Sequence, residues 1–199
     1  MCGRYDLSDN PAAIRAKFQV PAVPPFAPSA DWRPTQQAPI VRLGADGARE
    51  CLLARWGLVP GWAPNLKFGN RCINARAETV ASLPAFRQAF RHRRCLVPVN
   101  AFYEWSGDEG RRLKWRIALR DEPLFALAGL WERWQDRDSG QEVDSFTIVT
   151  CAANAAIAPL HGRMPVILRE ADYARWLDAA DARPLLAPFE PNALLIARA

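Results

Sequence analysis

The sequence predicts an α+β protein built on a mixed, mainly antiparallel sheet with short peripheral helices. Three observations carry this. Apolar runs rich in branched and aromatic residues recur along the chain, the helical patterns among them are short, and the two do not alternate as strand and crossover helix would in a doubly wound fold. On a scale of roughly 150 residues per domain, 199 residues make one domain, spanning 1–199.

Strands are expected at Ala38–Leu43, Cys51–Leu58, Leu113–Leu119, Leu124–Trp131, Ser145–Thr150 and Pro165–Leu168, where the apolar text is alternating or continuous. Helices are expected at Pro11–Phe18 behind Ser8 or Asp9 as a cap, at Pro84–Phe90, and at Glu170–Leu177, where Tyr173, Trp176 and Leu177 share a face. Prolines crowd Pro21–Pro39, which predicts a long irregular loop whose Phe26 and Trp32 seek burial. Asp136–Gln141 reads as a polar turn. No internal repeat or domain boundary is visible.

Composition excludes several classes. Half the residues are hydrophobic and 24% are charged, yet no apolar run nears the ~18 residues of a spanning helix. Met1–Asn10 carry an arginine and two aspartates where an export signal needs an apolar stretch, so a cytoplasmic location is expected. An odd count of five cysteines then argues for reduced thiols. Cys51, Cys72, Cys95 and Cys151 lie in apolar text without a Cys-x-x-Cys pair and read as small core residues. Neither a metal nor a small-molecule cofactor is expected.

The net charge of +5 is unevenly spread, with 14 Lys/Arg against 6 Asp/Glu in residues 1–100. Between Lys67 and Arg94, seven basic residues face Glu78 alone, which suits either a phosphate-facing surface or a solvated basic face.

Chemistry starts at Met1-Cys2-Gly3. Removal of the methionine would give Cys2 a free α-amine beside its thiol, groups with ordinary pKa values of about 7.7–8.0 and about 8.5. Such a pair can condense with an aldehyde to an imine and close a thiazolidine ring, or attack an acyl carbon with the amine as base. Within Ile73–Thr79, Asn74 and Arg76 share a side if the segment is extended. Glu104 lies among the aromatics of Phe102-Tyr103-Glu104-Trp105, where poor hydration would raise its pKa, though a paired strand carboxylate reads equally well. His161 is one of two histidines and sits beside Gly162 and Arg163, in a catalytic or a structural role; His92 reads as a surface residue. Trp62, in loop text between glycine and proline, suits either base stacking or the core.

Taken together, Met1-Cys-Gly-Arg-Tyr, Pro34-Thr-Gln, Trp56-Gly-Leu-Val-Pro-Gly-Trp-Ala, Ile73-Asn-Ala-Arg-Ala-Glu-Thr, Arg94-Cys-Leu-Val-Pro, Phe102-Tyr-Glu-Trp and His161-Gly-Arg-Met-Pro-Val-Ile-Leu resemble the SOS response-associated peptidase family, the abasic-site shielding proteins. The likeness runs from residue 1 to about 180. It implies a barrel-like sheet core and a Cys2 thiazolidine with the aldehyde of an abasic site in single-stranded DNA, with an associated lyase activity. Asn74 would orient the amine, Glu104 shuttle protons, and His161 assist proton transfer and reversal. Arg76 and Arg163, with Arg4 and Arg87, would contact phosphates, and Pro34 and Trp62 would wedge against bases. A monomer suffices, associated with the nucleoid when bound to DNA.

Two departures stand out. Asn100-Ala101 replaces the family's usual Asp-Gly, which bears on the turn that positions Glu104. Asp31-Trp32-Arg33 replaces the usual asparagine before the Pro34 loop, which bears on that loop's hydrogen bonding. The competing expectations are a thiol hydrolase of the N-terminal nucleophile type, as peptidase or glutamine amidotransferase, and a non-catalytic single-strand binding module.

Overall fold

The computed structural model describes residues 2–107 and 112–199. The first strand, β1 (Tyr5–Leu7), leads to α1 (Pro11–Phe18), β2 (Ser29–Trp32), β3 (Gln37–Leu43) and β4 (Arg49–Trp56). Next come β5 (Asn74–Arg76), α2 (Arg87–His92), β6 (Arg94–Val99), β7 (Ala101–Ser106), β8 (Leu113–Leu119), β9 (Phe125–Gln135) and β10 (Glu142–Ala152). They are followed by β11 (Arg163–Pro165), β12 (Ile167–Leu168), α3 (Tyr173–Asp178) and β13 (Leu194–Arg198).

One sheet closes on itself. Strand β3 pairs with β4 and β6, β6 with β9, β9 with β10, and β10 returns to β4. All these pairings are antiparallel except the last. Strand β10 is the exchange point: one edge passes from β4 at Phe146 to β5 at Ile148, both parallel to it. Its other edge passes from β9 to β11 at Thr150. The second sheet is antiparallel throughout, in the order β13-β8-β7-β1-β2. Tyr5 of this sheet meets Trp56 of the closed sheet with ring centroids 5.1 Å apart, so the two sheets share one core. Each large side chain wholly buried there, such as Phe102, Phe125, Phe146 and Trp176, contributes about 1.5–3 kcal/mol.

The α+β reading and five of its six strands agree with the structure, although β9 and β10 run longer than their apolar text, while Pro165–Leu168 is divided at Val166 between β11, on β10, and β12, on β9. The Pro21–Pro39 segment is not wholly irregular: Ser29–Trp32 forms β2, because pairing Trp32 with Tyr5 buries the indole against the phenol ring. Helix α1 is capped by Asn10, whose side chain accepts from the Ala13 N–H at 3.0 Å, rather than by Ser8 or Asp9. Those two are committed elsewhere, the Ser8 hydroxyl to Asp6 and the Asp9 carboxylate to the Asn100 amide. Helix α2 starts later than its pattern, since residues 83–86 form turns that precede it. Among the described residues, no helix is long and apolar enough to cross a membrane.

Candidate functional site

Strand β1 delivers the amino-terminal segment into the core. Tyr5 pairs with Phe102 and Asp6 with Ala101, and the Tyr103 N–H extends this ladder to the Arg4 carbonyl at 3.0 Å. Alternation along β7 then turns Phe102 and Glu104 inward while Tyr103 and Trp105 face the other way, beneath Lys114 and Arg4. Cys2 is wholly buried and Glu104 is 2% exposed.

Strand β5 approaches through its parallel pairing with β10, with Asn74 in register with Ile148. From there the Asn74 Nδ2 donates to the Cys2 carbonyl at 2.9 Å. Its Oδ1 is buried and has no hydrogen-bond partner among the described residues. His161 stands in the turn before β11, where its Nδ1 accepts from the Arg163 N–H at 3.0 Å.

The electrostatics follow from burial. Loss of hydration pushes the Glu104 carboxyl above the usual carboxylate range, with His161 among the positive charges that pull the other way. Burial, reinforced by Glu104, also holds the Cys2 thiol far above the ordinary thiol range, so its resting form is the neutral S–H. Once Met1 is removed, an amine, an undissociated thiol and a carboxyl whose proton is held more tightly than usual are the groups that a condensation with alternating acid and base steps requires.

The structure thus brings the buried Cys2 and Glu104 together with the half-buried Asn74 and His161. Met1, whose removal that chemistry requires, lies outside the described residues. The residues expected at phosphates differ in availability. Arg76 is exposed on the same side of β5 as Asn74 and forms no ion pair among the described residues. Arg4 pairs with Asp31 at 3.1 Å and covers the Trp105 ring. Arg163 is engaged by Glu78 and by Thr150. Arg87 is exposed on α2, which packs against β9 and β6 rather than beside β1.

Pro34 is half-buried in the turn from β2 to β3, and Thr35 beside it takes φ 77°. The Thr35 N–H donates to the Trp56 carbonyl at 2.8 Å, which ties this turn to the start of the Trp62 loop. Trp62 is 52% exposed, its ring edge-on to Phe68 at 5.0 Å. That loop folds back where Gly57 and Gly69 touch: a Cβ on Gly69 would lie 2.3 Å from the Gly57 carbonyl oxygen. The basic stretch from Lys67 to Arg94 is not one surface. Arg94 is buried, its guanidinium donating to the carbonyls of Phe90, Trp176 and Ala179, and Arg93 pairs with Glu132.

Both departures are compensated locally. The Asn100 Oδ1 accepts from the N–H groups of Ser8 and Asp9, and its Nδ2 donates to Asp9 and to the Pro123 carbonyl. The side chain thereby pins the exit of β1 to the entry of β7. In the Pro34 turn, the Arg33 N–H finds the Gln36 Oε1 at 2.7 Å. Three further residues border the site. Tyr5 has a buried hydroxyl without a partner among the described residues. Thr150 and Glu78 receive Arg163. Glu78 stands two residues beyond Arg76 in the motif, whereas nothing in the apolar text of β10 distinguishes Thr150. Among the described residues, no group of three His, Cys, Asp or Glu side chains could hold a metal ion.

The fold and site define a class: a closed-sheet α+β protein whose amino-terminal segment carries a buried cysteine to a carboxyl, an amide and an imidazole. A protein from Bordetella bronchiseptica of known crystal structure shares the fold with TM-score 0.87 and 29% identity, over 100% of this chain and 99% of its own. One from Bacteroides thetaiotaomicron superposes with TM-score 0.91 at 24% identity, over 99% of this chain and 91% of its own. The abasic site processing protein YoqW of Bacillus subtilis (strain 168) is 36% identical over 202 residues, spanning 96% of this chain and 89% of that protein. Residues 1–198 match the family model described as SOS response associated peptidase (SRAP), and the chain belongs to that family.

Proposed function

We propose that this protein processes abasic sites in single-stranded DNA by bonding to them covalently through Cys2, freed at the chain terminus by removal of Met1. The Cys2 amine attacks the aldehyde carbon of the ring-opened sugar to give a carbinolamine. Loss of water, with Glu104 donating a proton to the departing hydroxyl, leaves an imine. The thiol then adds to the same carbon, Glu104 taking its proton and the imine nitrogen gaining one. The net change is aldehyde plus aminothiol to thiazolidine plus water. An imine that fails to close acidifies the adjacent sugar C–H, which provides for a lyase reaction by β-elimination.

The observation that carries this reading is the Asn74 hydrogen bond to the Cys2 carbonyl, which holds that residue close to the buried Glu104 carboxyl. The relative's name, an abasic site processing protein, points to the same lesion. His161 serves as the second proton carrier, and Arg76 meets the phosphate nearest the lesion. A thiol hydrolase would use the same amine and thiol on an acyl carbon, and the relative's name points to an abasic site instead. A non-catalytic binding module leaves the burial of Cys2 beside Glu104 without purpose.

The test is intact-mass analysis after mixing with a single strand that carries one abasic site. The expected product is the chain without Met1 plus the oligonucleotide, less one water. No adduct, or an adduct on chains that retain Met1, overturns the reading.

A further inference from the structure

Glu78 lies outside the cluster yet is tied to it. Strand β10 has β5 on one edge and β11 on the other at Thr150, which is in register with Arg76 and with Pro165. The Arg163 side chain crosses this strand. Its Nε donates to the Thr150 hydroxyl at 3.3 Å and its Nη2 to the Thr150 carbonyl at 2.7 Å. Its two Nη atoms then meet the Glu78 carboxylate at 3.0 and 2.9 Å, the two-pronged geometry that fixes a guanidinium most firmly. This strap spans three strands, and Arg163 within it is 18% exposed. The pairing also holds the Glu78 carboxyl below its usual range.

What the strap immobilises is the Arg163 peptide. Its N–H lies 3.0 Å from the His161 Nδ1 and its carbonyl oxygen 3.2 Å from the same nitrogen. With Nδ1 bare the ring accepts from the first; with a proton on Nδ1, as in the imidazolium, it donates to the second. One residue therefore serves the ring before and after it gains a proton.

We propose that Glu78 is a positioning residue for the covalent reaction: by clasping Arg163 across β10 it fixes the peptide that orients His161 through a protonation cycle. This rests on the covalent reading above. Among the described residues, the titratable and charged groups about His161 include Glu104 on β7, Cys2 before β1, Arg163 on β11 and Glu78 after β5. Glu78 reaches the ring through the backbone of Arg163.

The experiment compares wild type, Glu78→Ala and Glu78→Gln, using a single strand with one abasic site at saturating concentration. Linkage rate is measured across pH, together with affinity for an intact strand. For Glu78→Ala the rate falls ~10-fold, a fraction of what a proton-transfer group contributes, and its pH profile shifts. Affinity is not weakened, since the lost charge is negative. Glu78→Gln keeps an acceptor for one guanidinium N–H and loses less. A wild-type rate and profile in Glu78→Ala overturn the proposal, as does a lowered melting temperature with an unmoved profile. If wild type itself forms no adduct, the covalent reading fails rather than this one.

Discussion

Asn74 and Cys2, 72 positions apart, are joined by an amide-to-carbonyl hydrogen bond of 2.9 Å, and this contact links the parallel edge of β10 to the amino-terminal segment. In Asn74→Ala the backbone pairing of β5 survives but the terminal residue loses its tether. Stability falls by ~1 kcal/mol, the usual worth of one such bond. Linkage slows by roughly 10- to 100-fold, the cost of a reacting group displaced by about an ångström. Timed quenching of adduct formation, alongside a thermal melt, checks both; equal losses in fraction folded and rate would contradict the positioning role.

Glu104 makes stability depend on pH in an unusual direction. Its folded carboxyl titrates above the ordinary value of about 4.3, so between the two values the folded chain binds more protons than the unfolded one. Its contribution to stability is therefore present in acid and lost as pH rises through the folded value. Glu104→Gln removes this slope, melts above wild type at neutral pH, and loses that advantage below about pH 4. The same variant links ~100-fold more slowly. A variant that melts no higher than wild type at neutral pH would remove burial as the cause.

Asn100→Ala tests whether the family departure is structural. Four hydrogen bonds vanish, two of them from backbone N–H groups that hold Ser8 and Asp9. The expected loss is about 2–3 kcal/mol, or a melting temperature ~5–10 °C lower. Asp6 remains paired with Arg116, so β1 stays in place and adduct formation persists below the melt. Calorimetry with a parallel adduct assay decides it.

Trp62→Ala separates stacking from folding. With half its surface exposed and Phe68 as its ring partner, the indole adds little to the core. Affinity for single strands of any sequence falls by about 1–3 kcal/mol, with the melt unchanged. Fluorescence anisotropy reads this directly, and a loss limited to one sequence would rule out stacking as the source.

Much of the fold was legible because burial leaves a periodic trace. The two longest hairpin partners, β9 and β10, announce themselves in Leu124–Trp131 and Ser145–Thr150. Strands β1, β2 and β13 escape notice because each is short and depends on its neighbours for pairing, not on its own pattern. Strand β6 is hidden by Pro98 inside an otherwise continuous apolar run. At the site, residue chemistry pointed to Cys2, Asn74, Glu104 and His161, while Thr150 stayed invisible because its value lies in where a strand edge changes partners. Charge counting misjudged Arg94, since sequence does not reveal that carbonyls at the ends of two helices surround it.

Strand β10 holds Asn74 and Arg76 along one flank and Arg163 along the other, while its own side chains from Ser145 to Cys151 are sealed in the interior. The side chains flanking it consequently share one rigid support. Amide protons at Ile148–Thr150 should exchange only when the entire molecule opens, and heat should extinguish reactivity and tertiary structure at a single temperature, leaving no half-competent form between them.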